Sequence, residues 1–175
     1  MVLNVFHLLL LATLANGIND SVRITKFQQC DPLTDYPLKI KATFKTVRNA
    51  QYLDYNGTYT IPYVYNASMH VHIAISPNGK NFIHMMTLRG DDVCAFQRKY
   101  LGEFYFLILE RSGLTRDTCP IPAGIYSSRN MKIDFSNIPV DALPAGVVRL
   151  RQMVIQKKTK KLLSCVDMEI SNKLK

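Results

Sequence analysis

Four cysteines, Cys30, Cys94, Cys119 and Cys165, carry the most definite chemistry in this 175-residue chain. They are even in number and widely spaced, and none forms a Cys-x-x-Cys pair, so disulfides in an oxidising compartment fit and zinc does not. Three pairings are possible, and spacing alone does not choose among them. The histidines are the other candidate ligands. If Asn78-Gly79 is a two-residue hairpin turn, Pro77 pairs with Lys80, Ile75 with Phe82, Ile73 with His84 and Val71 with Met86. In that register His84 points inward among Met69, Val71, Ile73, Phe82 and Met86, while His70 and His72 share the opposite face. Three imidazoles then do not converge on one metal. His84 reads either as a hydrogen-bonded core histidine or as the polar anchor of a ligand cavity.

Catalytic signatures are missing from the sequence. There is no Gly-x-Ser-x-Gly elbow, metalloprotease helix or phosphate loop, and no Cys and His arrangement with a family signature. Asp91-Asp92 is better explained as a helix cap. The chain is therefore expected to bind rather than catalyse, with no metal or cofactor.

At the amino terminus, Val5 to Ala15 form an almost unbroken apolar run. It has the length of a signal-peptide core and is too short to span a bilayer; the competing reading is a buried first strand or helix. Ala15 and Gly17 suit cleavage after Gly17, so residues 1–17 are expected to leave and 18–175 to form one secreted, extracellular domain. No later segment is apolar enough to be transmembrane. Sequons at Asn56-Gly-Thr and Asn66-Ala-Ser fall between strand-like runs and are the expected glycosylation sites; Asn19-Asp-Ser lies too close to the cut.

The elements that must position these groups follow from periodicity. Leu38, Ile40, Ala42 and Phe44 alternate with Lys39, Lys41, Thr43 and Lys45, the pattern of a strand with one wet face. Similar runs are Tyr59, Ile61, Tyr63 and Tyr65; Met69, Val71, Ile73 and Ile75; Met131, Ile133 and Phe135; and Leu162, Val166, Met168 and Ile170. Ser-Pro-Asn-Gly at 76–79 signals a hairpin, and Lys-Lys-Thr-Lys-Lys at 157–161 an exposed hairpin tip. The fold class expected is mainly β, an antiparallel sandwich or cup. One helix is inserted at about 93–112, between the Asp91-Asp92 cap and a Gly113 stop. From Tyr100 to Leu109 that helix is apolar on nearly every side, so it is either buried against a sheet or a lid over an apolar cavity, touching lipid.

Methionines at 69, 85, 86, 131, 153 and 168 suit either an ordinary core or an adaptable apolar interior. The net charge is +9. Clusters at Arg149 and Arg151, Lys157 to Lys161, and Lys173 with Lys175 suit an anionic membrane surface or extracellular polyanion better than nucleic acid, or else are simply solvated.

An ordered series of motifs resembles the insect secreted proteins of the ganglioside-activator-like, ML lipid-recognition type, some of which are chemosensory proteins of the Che type. The series runs from Phe27-Gln-Gln-Cys30 through Ser76-Pro-Asn-Gly79 and Val93-Cys94-Ala-Phe96 to Cys119-Pro-Ile-Pro-Ala-Gly-Ile-Tyr126, and then Leu143-Pro-Ala-Gly146 before a basic and apolar strand. The resemblance implies a β cup holding a lipid or other hydrophobic molecule, and a carrier or presenter role in chemosensation or extracellular signalling. It also implies pairing of Cys30 with Cys165 and Cys94 with Cys119. The inward strand faces and the helix would line the cavity, through Met69, Val71, Ile73, Phe82, His84, Met86, Phe104, Ile108, Val166 and Met168. The alternative function is an extracellular interaction module, an accessory subunit for a membrane receptor or channel, with a filled core and no ligand. The vertebrate activator's further cysteine pairs are missing, so its hydrolase partnership and sugar specificity do not carry over.

Expression in insect cells should give a secreted product whose first residue is Ile18 and whose mass falls on glycosidase treatment. A full-length, unglycosylated intracellular product would contradict the reading of the amino terminus.

Overall fold

The computed structural model describes residues 22–62, 66–134 and 145–172. The Val5 to Ala15 run, the cut after Gly17, the Asn19 sequon, Tyr63, Tyr65, Phe135, Leu143, Lys173 and Lys175 lie outside them. Among the described residues the chain forms strands β1 (Val22–Gln29), β2 (Leu38–Val47), β3 (Ala50–Tyr59), β4 (Ala67–Ser76) and β5 (Ile83–Gly90). Helices α1 (Val93–Leu101) and α2 (Glu103–Arg111) follow, then β6 (Gly124–Ile133), β7 (Gly146–Gln156) and β8 (Leu162–Asn172). All the strand pairings are antiparallel, in a five-stranded sheet of order β1-β8-β7-β4-β5 and a three-stranded sheet of order β2-β3-β6. This is the mainly β, two-sheet sandwich that the alternating runs require. No helix among the described residues is long and apolar enough to cross a membrane.

Alternation decides which side of each strand is buried. Leu38 is fully buried on β2, and Val166 and Ile170 are buried on β8, while their neighbours Lys39, Lys41 and Glu169 face outward. Cys30 pairs with Cys165 and Cys94 with Cys119. Closing loops of 135 and 25 residues removes chain entropy worth about 5 and 3.5 kcal/mol respectively. The first bond ties the end of β1 to β8; the second ties α1 to the segment that leads into β6.

The helical segment is capped as expected, since the Asp92 carboxylate accepts from the Ala95 N–H at 2.9 Å and Gly113 takes a left-handed φ of 80°. It is not one helix, however. Gly102, at φ 53° and ψ −134°, breaks it, and Tyr105 N–H then bonds back to the Gly102 carbonyl to start α2. The break lets α2 act as a wedge between the sheets. Phe104, Leu107 and Ile108 pack toward Leu53, Met131 and Ile133 of the small sheet. Tyr105 and Leu109, on the adjacent helix face, join the cluster of Leu38, Met69, Val71 and Val154.

Two expectations are corrected. Of the run anticipated from Tyr59 to Tyr65, Tyr59 closes β3 and Ile61 lies outside any strand; Gly57 interrupts the apolar alternation of β3 upstream and hides it. The β4–β5 hairpin has a longer loop, since Asn78 accepts from Lys80 N–H and Ser76 Oγ rather than sitting in a two-residue turn. Residues 77–82 leave the ladder, and a bulge follows at Met85 of β5, opposite Ile73 and Ala74.

The sheets are joined directly along the edge made by β1 and β2. There the side chain of Gln51, 5 % exposed on β3, accepts from the Ile24 N–H at 2.9 Å and donates to the Ile24 carbonyl at 2.8 Å. A buried amide thus satisfies the backbone of the opposite sheet's edge strand, where β1 carries a bulge between Ile24 and Lys26. Arg23 reinforces the seam by donating to the Asn49 carbonyl. Gln51→Ala should cost about 1–3 kcal/mol, the penalty for orphaning a buried donor and acceptor, measured as a shift in the urea midpoint. A change under a few tenths of that would show the seam to be incidental.

Candidate functional site

The inner face of the large sheet carries an apolar row that crosses all five strands. Cross-strand pairing aligns Met86, Ile73, Leu150, Met168 and Phe27. The adjacent row, Leu88, Val71, Gln152, Val166 and Gln29, is sealed at Val71 and Val166. The first row is not sealed: Ile73, Leu150, Met168 and Phe27 are half-buried and Met86 is 50 % exposed. We call this partly exposed apolar row the trough. On the facing side Phe44 of β2 meets Phe27, ring centroids 6.1 Å apart, with Phe104, Leu107 and Ile108 of α2 packed in the same cluster as Phe44.

Of the residues expected to line a cavity, Met69, Val71, Ile73, Met86, Val166 and Met168 share this face, and Phe104 and Ile108 project from α2. Phe82 and His84 do not join them. The longer hairpin loop and the bulge set Ala74 opposite His84 and Ile73 opposite Met86, so His84 is exposed on the outer face beside His72, ring centroids 5.9 Å apart. Phe82 lies beneath the guanidinium of Arg149, 3.6 Å from the ring centroid. The histidine taken as an inward anchor is thus an outward group, because one bulged residue reverses the faces of a strand.

Polar groups inside the molecule come instead from residues the sequence did not single out. Tyr55, Tyr59 and Tyr126 lie on the inner face of the small sheet, with Gly57 and Gly124 beneath them. A Cβ at Gly57 would collide with Tyr55 Oη, and one at Gly124 would meet Tyr126 Oη at 3.1 Å. The Tyr55 and Tyr59 hydroxyls hydrogen-bond each other, and Tyr126 donates to the Pro122 carbonyl at 2.9 Å. Under the C-terminal end of α2 these rings enclose an apolar pocket of about 20 Å³ with Ile108, Leu109, Leu114, Ile121 and Ser112. The Oγ of Ser112 is buried there without a hydrogen-bond partner, as is the Oγ of Ser128, the cross-strand neighbour of Tyr55. Each such orphan costs about 1–3 kcal/mol, so a bonding partner at Ser112 would be favoured. Burial pushes the Tyr55 phenol above its ordinary range, with Tyr126 adding to the effect and the bond from Tyr59 opposing it. The signal for this pocket was Tyr55-Asn-Gly57-Thr-Tyr59, where a glycine inside a strand marks close approach by another group.

The outer face is polar. Arg151 holds Asp167 through two bonds of 2.8 Å, and Arg149 holds Glu169 at 3.1 and 2.8 Å. Lys26 adds a longer contact to Glu169 at 3.8 Å. Arg149 and Arg151, expected as free cations, are therefore largely neutralised, whereas the tip Lys158 to Lys161 is exposed. Asn66 is exposed just before β4, and Asn56 is exposed in mid-strand on β3 rather than between strands. It borders a surface hollow of about 260 Å³ lined by Lys41, Asp54 and Arg129 among others. Among the described residues no three His, Cys, Asp or Glu side chains are grouped as a metal site would need.

These features define a two-sheet β-sandwich with a helical wedge and an incompletely covered apolar interior. Residues 69–150 match a family model described as a protein of unknown function (DUF1091). No curated protein matches the chain. Among solved structures it is similar to chicken MD-1, crystallised in complex with lipid IVa, at 11% identity over 88% of this chain and 92% of that chain, with a TM-score of 0.43.

His70 lies on the outer face between Arg89 of β5 and Met153 of β7. Partial burial lowers its pKa first, and the cations Arg89, His72 and Lys160 lower it further against the opposing pull of Asp91. A histidine depressed in the folded state is protonated first in the unfolded chain, so stability falls as pH drops through about 6.5 and levels off below the folded pKa. The urea midpoint should decline between pH 7.5 and 5.5, and His70→Gln should flatten that decline. Equal slopes in the two proteins would contradict it.

Proposed function

We propose that this chain is an exported carrier or presenter of a lipid or other hydrophobic small molecule, acting by binding and not by turnover. The partly open trough of Met86, Ile73, Leu150, Met168 and Phe27 carries the reading, because an inner apolar row that water still reaches gains free energy when an acyl or alkyl chain covers it. About ten buried methylenes would contribute about 8 kcal/mol, micromolar affinity before the costs of ordering are subtracted. The interior pocket of about 20 Å³ is far smaller than the roughly 300–1,000 Å³ of a ligand cavity. Uptake therefore requires Phe104, Leu107 and Ile108 of α2 to draw away from the small sheet. The two disulfides and the sequons at exposed Asn56 and Asn66 support an exported, glycosylated single domain over 18–175, and the resemblance of its ordered motifs to ML-type secreted proteins supports a role in chemosensation or extracellular signalling. The exposed lysines 158, 160 and 161 suit delivery at an anionic membrane surface.

A second reading, an extracellular interaction module acting on a membrane receptor or channel, is favoured by the edge strand β5. Ile83 and Met85 there are 63 % and 56 % exposed, and β5 has an unpaired edge that a partner strand could extend.

Native mass spectrometry of the protein secreted from insect cells should show a lipid-sized adduct, and delipidated protein should take up N-phenyl-1-naphthylamine with micromolar affinity. Met86→Asp sets a carboxylate at the exposed end of the trough and should weaken uptake about tenfold, while Met85→Asp should leave it unchanged. A clean apo mass with no dye uptake would leave only the interaction module.

A further inference from the structure

We infer that the pocket beneath the C-terminal end of α2 seats the ligand's head, and that this head is a small uncharged oxygen group, the hydroxyl or carbonyl of a fatty alcohol, aldehyde or ester. The inference rests on the carrier reading and adds to it the ligand's chemical class and orientation, head inward and chain toward the trough.

Three observations converge on it. First, Ser112 lines this pocket and its Oγ is buried without a partner, and the rings of Tyr55 and Tyr59, whose hydroxyls bond each other, line the same space. Hydroxyls both donate and accept, so the set serves an alcohol and a carbonyl alike. Second, the pocket is about 20 Å³, room for about one water-sized group. With the C-terminal end of α2 seated as it stands, a phosphate, a sugar or a choline head does not fit. Third, the walls are Ile108, Leu109, Leu114, Ile121 and the tyrosine rings, with no Lys, Arg or His among them. A carboxylate placed there would lose its hydration with no cation to replace it. Burial already holds the Tyr55 phenol in its neutral form to unusually high pH, the same disfavour of negative charge.

The route from head to chain follows the strand register. On the inner face of the small sheet, Tyr59 and Tyr55 lead to Leu53, and opposite these stand Leu38, Ala42 and Phe44. Phe44 then meets Phe27, the last residue of the trough. One inner surface therefore passes from the tyrosines to bare hydrocarbon.

Competition against bound N-phenyl-1-naphthylamine tests this with a twelve-carbon series on delipidated protein at pH 7.5: dodecan-1-ol, dodecanal, dodecane and dodecanoate. The alcohol and aldehyde should displace the dye at about tenfold lower concentration than dodecane, the worth of one or two added hydrogen bonds, and dodecanoate should be weakest relative to its chain length. Ser112→Ala should weaken dodecan-1-ol about five- to tenfold and leave dodecane unchanged, the latter also showing that the variant is folded. Should Ser112→Ala lose dodecane binding as well, Tyr55→Phe replaces it with the same expectation. Equal binding of alcohol and alkane would mean that the pocket only holds structural water, and overturns the head site while the carrier stands. Preference for dodecanoate, or an alcohol preference intact in Ser112→Ala and in Tyr55→Phe, overturns it too. If none of the four binds, the carrier reading falls and this inference with it.

Discussion

The buried amide of Gln51 closes the sandwich along one seam, and much of the rest follows from that asymmetry. By satisfying both backbone groups of Ile24 it joins β1 of the large sheet to β3 of the small one where a bulge would otherwise leave them bare. Along the β1–β2 edge the sheets meet directly. Away from it the helices pack against both inner faces and cover apolar surface that the sheets do not cover for each other. The chain supplies α2, a helix apolar on two adjacent faces, and the trough of Ile73, Leu150 and Met168 is what that wedge leaves uncovered.

The wedge depends in turn on Gly102 and on the Cys94–Cys119 bond. A straight helix through 93–112 would carry one apolar stripe along one line. The left-handed residue at Gly102 lets α1 bury Val93, Cys94 and Phe96 against the large sheet while α2 turns Phe104, Leu107 and Ile108 toward the small one. The disulfide then fixes α1 to the segment that leads into β6, the strand that brings Tyr126 into the tyrosine cluster. Covalent closure, helix break and polar pocket are thus linked along one stretch of chain.

Outside the sandwich, charge is arranged to be quiet across the middle of the large sheet and strong at one end. Arg149 with Glu169 and Arg151 with Asp167 neutralise the central strands β7 and β8. The lysine-rich tip between β7 and β8 keeps its charge because no acid faces it in the hairpin. Attraction to anionic surfaces would therefore act through that tip rather than through the sheet face, and would weaken with salt.

What the sequence by itself determined was whatever depends on local pattern and on covalent possibility. Period-two alternation at Leu38 to Phe44 and Met69 to Ile75 named the strands and their inner faces, and Asp92 and Gly113 bounded the helical segment. The cysteine count required bonds, and resemblance of ordered motifs supplied their pairing. Tertiary structure alone decided the register of β4 against β5, since a bulge at Met85 of β5 has no local signature; with it went the place of His84, from inside to outside. It alone brought Ser112, Tyr55 and Tyr59 together, because three residues on a helix end and a strand become one pocket only when two sheets and a helix have already packed. Alternation tells which way a side chain points, and not what stands opposite it.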